Sequence, residues 1–146
     1  MKKLAFLKIL FDIILFMSGG FCYGLIEILW RRRTHISMII TGGLCFLFLY
    51  KIFDKFKHLT LTLKCVIGSL VITTLEFLCG LVVNIRLKLK VWDYSKQPLN
   101  LLGQICLLYS FLWGLLTVPI SFICKKISKL SLVRSLTQKR TKYDCS

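Results

Sequence analysis

The longest apolar stretch of the chain is LNLLGQICLLYSFLWGLLTVPISFIC, residues Leu99–Cys124, and none of its 26 residues is charged. A helix of about 20 residues crosses the hydrocarbon core of a bilayer. Lipid offers no hydrogen-bonding partner to the backbone, so a crossing segment must pair its own N–H and C=O groups. The stretch therefore predicts a transmembrane α-helix, with Pro98 at its start and Asn100 as a candidate cap.

Three further apolar runs precede it: Ile9–Trp30, Ile36–Phe53 and Cys65–Ile85. The residue types AVILMFWYC make up 56% of the 146 residues, whereas a soluble domain contains about 45–50% even with glycine included. A soluble core of this length could not bury the surplus, and a chain this apolar is not disordered. We therefore predict an all-α integral membrane bundle of four transmembrane helices joined by short loops.

The distribution of Lys and Arg predicts the orientation of the bundle. The N-terminus, the region between the second and third runs and the C-terminal segment carry 14 of these residues, and the other two loops carry 7. Both termini are therefore expected in the cytoplasm of a multi-pass cell-membrane protein. Residues 1–124 would form the transmembrane domain, and residues 125–146 would form a basic cytoplasmic tail.

Small and polar residues recur along one face of each predicted helix. These stripes comprise Gly20, Gly24 and Glu27 in the first helix, Ser37, Thr41 and Cys45 in the second, Ser69, Thr73, Glu76, Gly80 and Asn84 in the third, and Gly103, Ser110, Gly114, Thr117 and Ser121 in the fourth. In membranes such residues favour contacts between helices. The stripes therefore predict either a closely packed bundle or a polar cavity between the helices.

Glu76 lies in the middle of the third apolar run. A carboxylate at the bilayer centre costs roughly 2.5–3.5 kcal/mol on insertion scales, so we expect this side chain to face the interior of the bundle. Three roles are open there: a structural hydrogen bond, an ion pair with a base from another helix, or contact with water or a bound cation. The sequence places no Lys or Arg at the same depth, which disfavours the ion pair.

Charged residues near the helix ends show the spacing of local ion pairs. Glu27 precedes Arg31 by four residues, and Asp12 follows Lys8 by four. Both spacings predict i,i+4 pairs on a helix. His35 lies in the loop that follows Arg31, with no second ligand at metal-binding spacing.

The segment VWDYSKQPLN, residues 91–100, has its own chemistry. Trp92 and Tyr94 are typical of the membrane–water interface. Asp93 and Ser95 can accept hydrogen bonds from turn amides. The segment is therefore predicted to be an ordered turn anchored at the interface, or alternatively a binding patch at the mouth of the bundle.

Several chemical functions are disfavoured by the residues that the chain lacks. The seven cysteines form no CxxC pair and lie mostly in apolar runs, so they are interpreted as small apolar residues. The chain contains no GxxxxGK[ST] motif for ATP and shows no nucleophile–base arrangement. We therefore expect no enzyme activity, no cofactor and no metal site. The basic loops suit anionic lipid headgroups rather than nucleic acid.

Two groups of motifs carry a resemblance that extends from about residue 12 to residue 124. The first comprises Tyr23-Gly-Leu-Ile-Glu-Ile-Leu-Trp-Arg31, Thr34-His-Ile-Ser-Met38 and Gly42-Gly-Leu-Cys-Phe46. The second comprises Glu76-Phe-Leu-Cys-Gly80, Asn84, Val91-Trp-Asp-Tyr-Ser95, Pro98 and Asn100-Leu-Leu-Gly-Gln-Ile-Cys106. The chain resembles the bacterial membrane family of CmpB-type ABC-transporter permeases. The matching positions are Glu27, Arg31, His35, Glu76, Gly80, Asn84, Trp92, Asp93, Tyr94, Ser95, Pro98, Asn100 and Gly103.

The resemblance implies a small multi-helix protein of bacterial cytoplasmic membranes. The first functional hypothesis is a transport-associated, permease-like component of unknown substrate. Four helices make a thin wall for a pore, so a homo-oligomer or another membrane subunit is expected, together with a separate ATPase chain if the system uses ATP. The alternative is an accessory or sensor membrane protein that binds a partner helix.

Overall fold

A computed structural model describes the backbone of residues 2–144 and the side chains of residues 5–130. Within these residues the helices are α1 (Lys2–Arg31), α2 (Ile36–Lys55), α3 (Leu61–Gly80) and α4 (Leu107–Asp144). A π-helical segment, Leu81–Arg86, extends α3, and an antiparallel hairpin of β1 (Asn100–Leu101) and β2 (Ile105–Cys106) precedes α4. All four α-helices are long and apolar enough to cross a membrane. The predicted all-α, four-helix membrane bundle is confirmed.

Helices α1 and α2 form an antiparallel hairpin whose close contact depends on glycine. A Cβ atom added at Gly20 would lie 2.6 Å from the backbone oxygen of Ile39. One added at Gly43 would lie 2.7 Å from the backbone oxygen of Phe16. Because backbone atoms cannot rotate aside as a side chain can, a larger residue at either position would push the two helices apart.

Asp12 forms its ion pair across this hairpin. Its Oδ2 lies 2.7 Å from Nζ of Lys51 in α2, so the predicted pair with Lys8 in the same helix is wrong. The antiparallel arrangement of α1 and α2 places Lys51 beside Asp12, and a spacing rule for a single helix cannot include that neighbour. Both side chains remain partly exposed, so the pair contributes little stability.

The main apolar core contains side chains from all four helices, with Leu15 contributed by α1. It includes Leu49, which is fully buried, with Phe53 from α2, Ile72 from α3 and Cys124 from α4. Helix α2 is the most enclosed of the four, although its apolar run was the shortest in the sequence. Large apolar side chains elsewhere on α1, α3 and α4 are exposed, as expected for surfaces that face lipid.

The polar stripes of α3 and α4 face each other. Ser69 donates a hydrogen bond to the backbone oxygen of Ser110 at 2.6 Å, and Thr73 donates to Ser110 Oγ at 3.0 Å. A methyl group at Gly68 would overlap the side chain of Thr117, which is fully buried. For this helix pair, the stripes therefore form a closely packed interface.

The fourth helix begins at Leu107, eight residues after the predicted start at Leu99. Asn100 is paired with Cys106 across the hairpin, so the expectation that Pro98 and Asn100 begin the helix is wrong. Gly103 likewise lies in the hairpin turn and not on the helix. Hydropathy misplaced this boundary because the hairpin contains no charged residue and its leucines continue the apolar run of the helix.

Helix α4 continues beyond the part that is long enough to cross a membrane. Its uncharged apolar run ends at Cys124, and the helix extends to Asp144. At 1.5 Å per residue, its 38 residues span about 57 Å. The predicted tail, residues 125–146, is therefore helical over most of its length. Its side chains beyond residue 130, including Cys145, lie outside the described residues, and its cytoplasmic location stays a prediction.

Candidate functional site

Glu76 is held by two hydrogen-bond donors from different parts of the chain. Its Oε1 accepts a hydrogen bond from the Tyr94 hydroxyl at 3.0 Å, and its Oε2 accepts one from Trp113 Nε1–H at 2.7 Å. Only 2% of the residue is exposed. Among the described side chains, no Lys or Arg forms an ion pair with it. Of the three roles left open, the geometry fits a structural hydrogen bond.

Aromatic rings fix the positions of these two donors. Tyr94 stacks on Tyr109 with ring centroids 4.5 Å apart. The Trp113 ring packs against the rings of Tyr109 and Tyr23, with centroid distances of 6.2 and 5.9 Å. Burial, and then the neighbouring Glu76 carboxyl group, raise the pKa of Tyr94 well above its usual range. Tyr94 therefore keeps its proton and acts as a donor to the carboxyl group at neutral pH.

A second acidic residue, Glu27, is buried near the end of α1. Its carboxylate accepts hydrogen bonds from Arg31 Nη1 at 2.9 Å and from Thr34 Oγ1 at 2.8 Å. The predicted ion pair with Arg31 is therefore confirmed. His35 caps α2, with its Nδ1 accepting a hydrogen bond from the Ser37 backbone N–H at 3.2 Å.

Asn84 connects the end of α3 to the loop that follows it. Its Oδ1 accepts a hydrogen bond from the Val91 backbone N–H at 2.7 Å. Its Nδ2 donates to the Trp92 backbone oxygen at 3.1 Å and to Gln104 Oε1 at 2.9 Å. One amide side chain thus holds the loop and the β-hairpin against the π-helical segment.

Trp92 and Tyr94 pack inside the protein and do not face the lipid headgroups. Their exposed fractions are 2% and 7%, so their predicted role as interface anchors is wrong. The Trp92 indole donates to the Gln104 backbone oxygen at 2.9 Å, which satisfies its N–H within the fold. A Cβ atom at Gly80 would lie 2.5 Å from Gln104 Oε1 and 3.1 Å from the Trp92 ring, so a larger residue there would displace the end of the Gln104 side chain.

The outward side of the loop is a network of turn hydrogen bonds. Asp93 Oδ1 accepts from the Ser95 backbone N–H at 2.8 Å, which confirms the predicted turn contact. This bond and one from the Ser95 side chain lower the pKa of Asp93. Asn100 donates to the backbone oxygens of Ser95 and Gln97 at 3.2 and 2.7 Å, and accepts from the Gly103 backbone N–H at 3.1 Å.

A cleft of about 200 Å³ opens between α1 and α4 beside Glu76. Its walls are mainly aromatic and aliphatic, with one ion pair at its edge. The lining residues are Tyr23, Ile26, Glu27, Trp30, Arg31, Tyr94, Tyr109, Leu112, Trp113 and Leu116. A smaller pocket of about 180 Å³ adjoins the same ion pair and is lined by His35, Arg33 and Lys90.

The structure divides the ten predicted site residues into an inner and an outer group. The inner group lines or supports the cleft and its adjoining pocket and comprises Glu27, Arg31, His35, Glu76, Asn84, Trp92 and Tyr94. The outer group stabilises the exposed side of the loop and comprises Asp93, Ser95 and Asn100. The described residues contain no group of three His, Cys, Asp or Glu side chains that could hold a metal ion.

Sequence reasoning missed three residues of the inner site: Trp113, Gln104 and Tyr109. Trp113 could have been found, because a carboxyl group in an apolar segment needs donors and an indole N–H in another apolar segment needs an acceptor. Gln104 carries a similar signal as a side-chain amide within an apolar run. Tyr109 carries none, because its contacts are ring packing.

Comparison with curated proteins and with solved structures found no match. Comparison with protein families matched residues 14–143 to the family described as "Putative ABC-transporter type IV". The matched range includes most of α1, all of α2 and α3, the loop with its hairpin, and nearly all of α4. The chain is therefore a multi-pass membrane protein that belongs to this CmpB-type ABC-transporter family.

Proposed function

We propose that the chain is a permease-like membrane subunit of a transport system and that the cleft between α1 and α4 is its substrate-facing surface. The observation that carries the proposal is the position of Glu76 behind this cleft. Its two donors, Tyr94 and Trp113, are themselves cleft walls. A ligand in the cleft would therefore contact the groups that hold the buried carboxyl. Mainly apolar walls with a few polar groups are typical of small-molecule sites.

The size of the cleft supports a partner subunit. At about 200 Å³ it is smaller than most small-molecule pockets, which measure about 300–1,000 Å³. A second copy of the chain or another membrane subunit packed on α1 and α4 would enclose a larger volume. The chain contains no P-loop motif, so energy from ATP would have to come from a separate ATPase chain.

We also propose that both termini lie in the cytoplasm of the cell. The supporting observation is the excess of Lys and Arg, 14 against 7, at the end of the bundle that carries the termini. An ATPase chain would then contact the loop between α2 and α3 or the extended α4. The hairpin and the Trp92 loop would face outward.

A second candidate function is that of an accessory or sensor protein that binds a partner helix. The observation in its favour is the shape of the cleft, which is bounded on its two sides by α1 and α4 and lined by Ile26, Leu112 and Leu116. A transmembrane helix could lay an apolar face against these side chains. This function needs no ATPase.

Purification in mild detergent separates the two functions. The tagged chain is isolated and co-purifying chains are identified by mass spectrometry. Leu112→Trp fills the cleft, and Leu115→Trp is the matched control, because Leu115 lies on α4 outside the cleft and is 52% exposed.

The permease proposal predicts an ATPase chain with the wild type and with both variants, because the cleft lies at the opposite end of the bundle from the proposed ATPase contacts. An integral membrane partner lost only in Leu112→Trp, with no ATPase in any sample, would support the accessory function instead. A chain that is purified intact and alone under all conditions would contradict both.

A further inference from the structure

A basic cavity lies at the opposite end of the bundle from the Glu76 site. Its volume is about 330 Å³, and it is enclosed by the loop between α2 and α3 and by α4. Among the described residues, four lysines line it, Lys57, Lys64, Lys125 and Lys129, and no carboxylate does. Like charges held close together repel one another, and an anion bound among them would relieve that repulsion.

Within the described part of the chain, the Asp54 carboxylate pairs with only one of the four lysines. It lies 3.4 Å from Nζ of Lys57 and accepts a hydrogen bond from Ser128. Among the described side chains, Lys64, Lys125 and Lys129 have no ion pair. Three ammonium groups at one cavity are therefore available to a ligand.

Part of the remaining wall is apolar and is formed by Phe53, Leu59 and Cys124, and two serines, Ser121 and Ser128, complete the lining. Nζ of Lys64 lies 5.6 Å from the centroid of the Phe53 ring. The lysine charges and the apolar wall thus meet within one cavity. A ligand that matches both surfaces has an anionic head and an apolar body.

The cavity also lies where such a ligand is concentrated. Helix α2 ends at Lys55, α3 begins at Leu61 and the uncharged run of α4 ends at Cys124, so we expect the lysines near the level of the lipid headgroups. Basic pockets between transmembrane helices bind anionic lipid headgroups. Each Lys or Arg near an anionic membrane surface tightens binding to that surface by about five-fold.

We propose that this cavity is a binding site for an anionic phospholipid, with the lipid phosphate among Lys64, Lys125 and Lys129 and the first acyl carbons against the apolar wall. The inference does not rest on the proposed role of the cleft, because the two sites lie at opposite ends of the bundle. It also gives a reason for lysines to converge from the loop, α3 and α4.

Native mass spectrometry of the delipidated full chain in neutral detergent tests the site. The chain is titrated with phosphatidylglycerol, with phosphatidylcholine of the same acyl chains, and with glycerol 3-phosphate as the soluble source of phosphate. The double variant Lys125→Gln/Lys129→Gln is compared with Lys88→Gln/Lys96→Gln. The control removes two exposed positive charges at the opposite end of the bundle.

We expect phosphatidylglycerol to bind the wild type more tightly than phosphatidylcholine. The cavity variant should weaken this binding about 30-fold, the product of two lysine contributions, and the control should remain near the wild type. Equal loss in both variants, or equal affinity for the two lipids, would show that only general charge acts and would overturn the proposal. Competition by glycerol 3-phosphate at equal concentration would also overturn it, because the site would then recognise soluble phosphate.

Discussion

Replacing Glu76 by leucine should destabilise the bundle more than replacing it by glutamine. Leucine leaves no acceptor for the Tyr94 hydroxyl and the Trp113 indole N–H, which both bond to the carboxyl group. Glutamine keeps one oxygen and can accept from one of the two donors. Lysine would place an ammonium group against both donors, and we expect Glu76→Lys not to fold.

The magnitude follows from the number of hydrogen bonds. In the unfolded reference state of a membrane protein the helices remain inserted, so the cost of placing Glu76 in the apolar phase largely cancels between the two states. Hydrogen bonds between membrane helices contribute about 0.6 kcal/mol on average and at most about 1.7 kcal/mol. Loss of two bonds in Glu76→Leu should therefore lower the free energy of unfolding by about 1–3 kcal/mol, and Glu76→Gln should cost about half as much.

Equilibrium unfolding in mixed micelles, followed by circular dichroism, measures both variants. A double-mutant cycle of Glu76→Leu with Trp113→Phe isolates the coupling of this pair, which should exceed about 0.5 kcal/mol. Trp30→Phe is the control, because Trp30 is 70% exposed. A Glu76→Leu variant as stable as the wild type, with no coupling to Trp113, would refute the assignment of Glu76 as a structural acceptor.

Three further predictions concern packing, the loop and the orientation. Gly68→Ala should lower the free energy of unfolding by about 1–3 kcal/mol, because the added methyl group overlaps the buried side chain of Thr117. Gly114→Ala is the control in the same detergent assay. A Cβ atom at Gly114 would lie 3.5 Å from its nearest neighbour on another helix, so this variant should be neutral or stabilising. Asp93→Ala should lower the Tm at pH 7, whereas Lys96→Ala should not. Turn hydrogen bonds hold the pKa of Asp93 below its usual value, so the charged carboxylate stabilises the fold and this stabilisation is lost once the carboxylate is protonated. The difference in Tm between the wild type and Asp93→Ala should therefore shrink below about pH 4. On intact cells an impermeant thiol reagent should label Lys96→Cys and not Lys57→Cys; the reverse pattern would contradict the proposed orientation.

The helices and their inward faces were predictable because lipid imposes strict rules on both. A continuous apolar run of about 20 residues crosses the bilayer as a helix, so the apolar runs predicted four helices. Polar groups must avoid lipid, so Ser69, Thr73 and Glu76 had to face another helix. These inferences need only the local sequence.

The hairpin before α4 could not be predicted on the same grounds. Leu99 and Leu102 have φ angles of 52° and 53°, a left-handed region that bulky residues rarely adopt. Their sequence context is apolar and typical of a helix. The turn is stabilised by long-range and loop contacts, such as the hydrogen bond that the Trp92 indole N–H donates to the Gln104 backbone oxygen. A hydropathy pattern carries no information about such partners. The pairing of Glu76 with Trp113, 37 residues apart, differs from this case, because a carboxyl group and an indole N–H in two apolar segments each signal the need for a polar partner.

The motif Trp92-Asp-Tyr-Ser95 explains how the loop and the buried carboxyl depend on each other. Alternate residues of an extended segment point to opposite sides, and here Trp92 and Tyr94 are buried while Asp93 and Ser95 are exposed. Trp92 attaches the loop to the hairpin, and Asp93 closes the turn on the outside. Tyr94 is thereby positioned to donate to Glu76. The carboxyl group in the apolar segment thus obtains one of its two donors only when the loop is folded, so helices and loop form one cooperative unit.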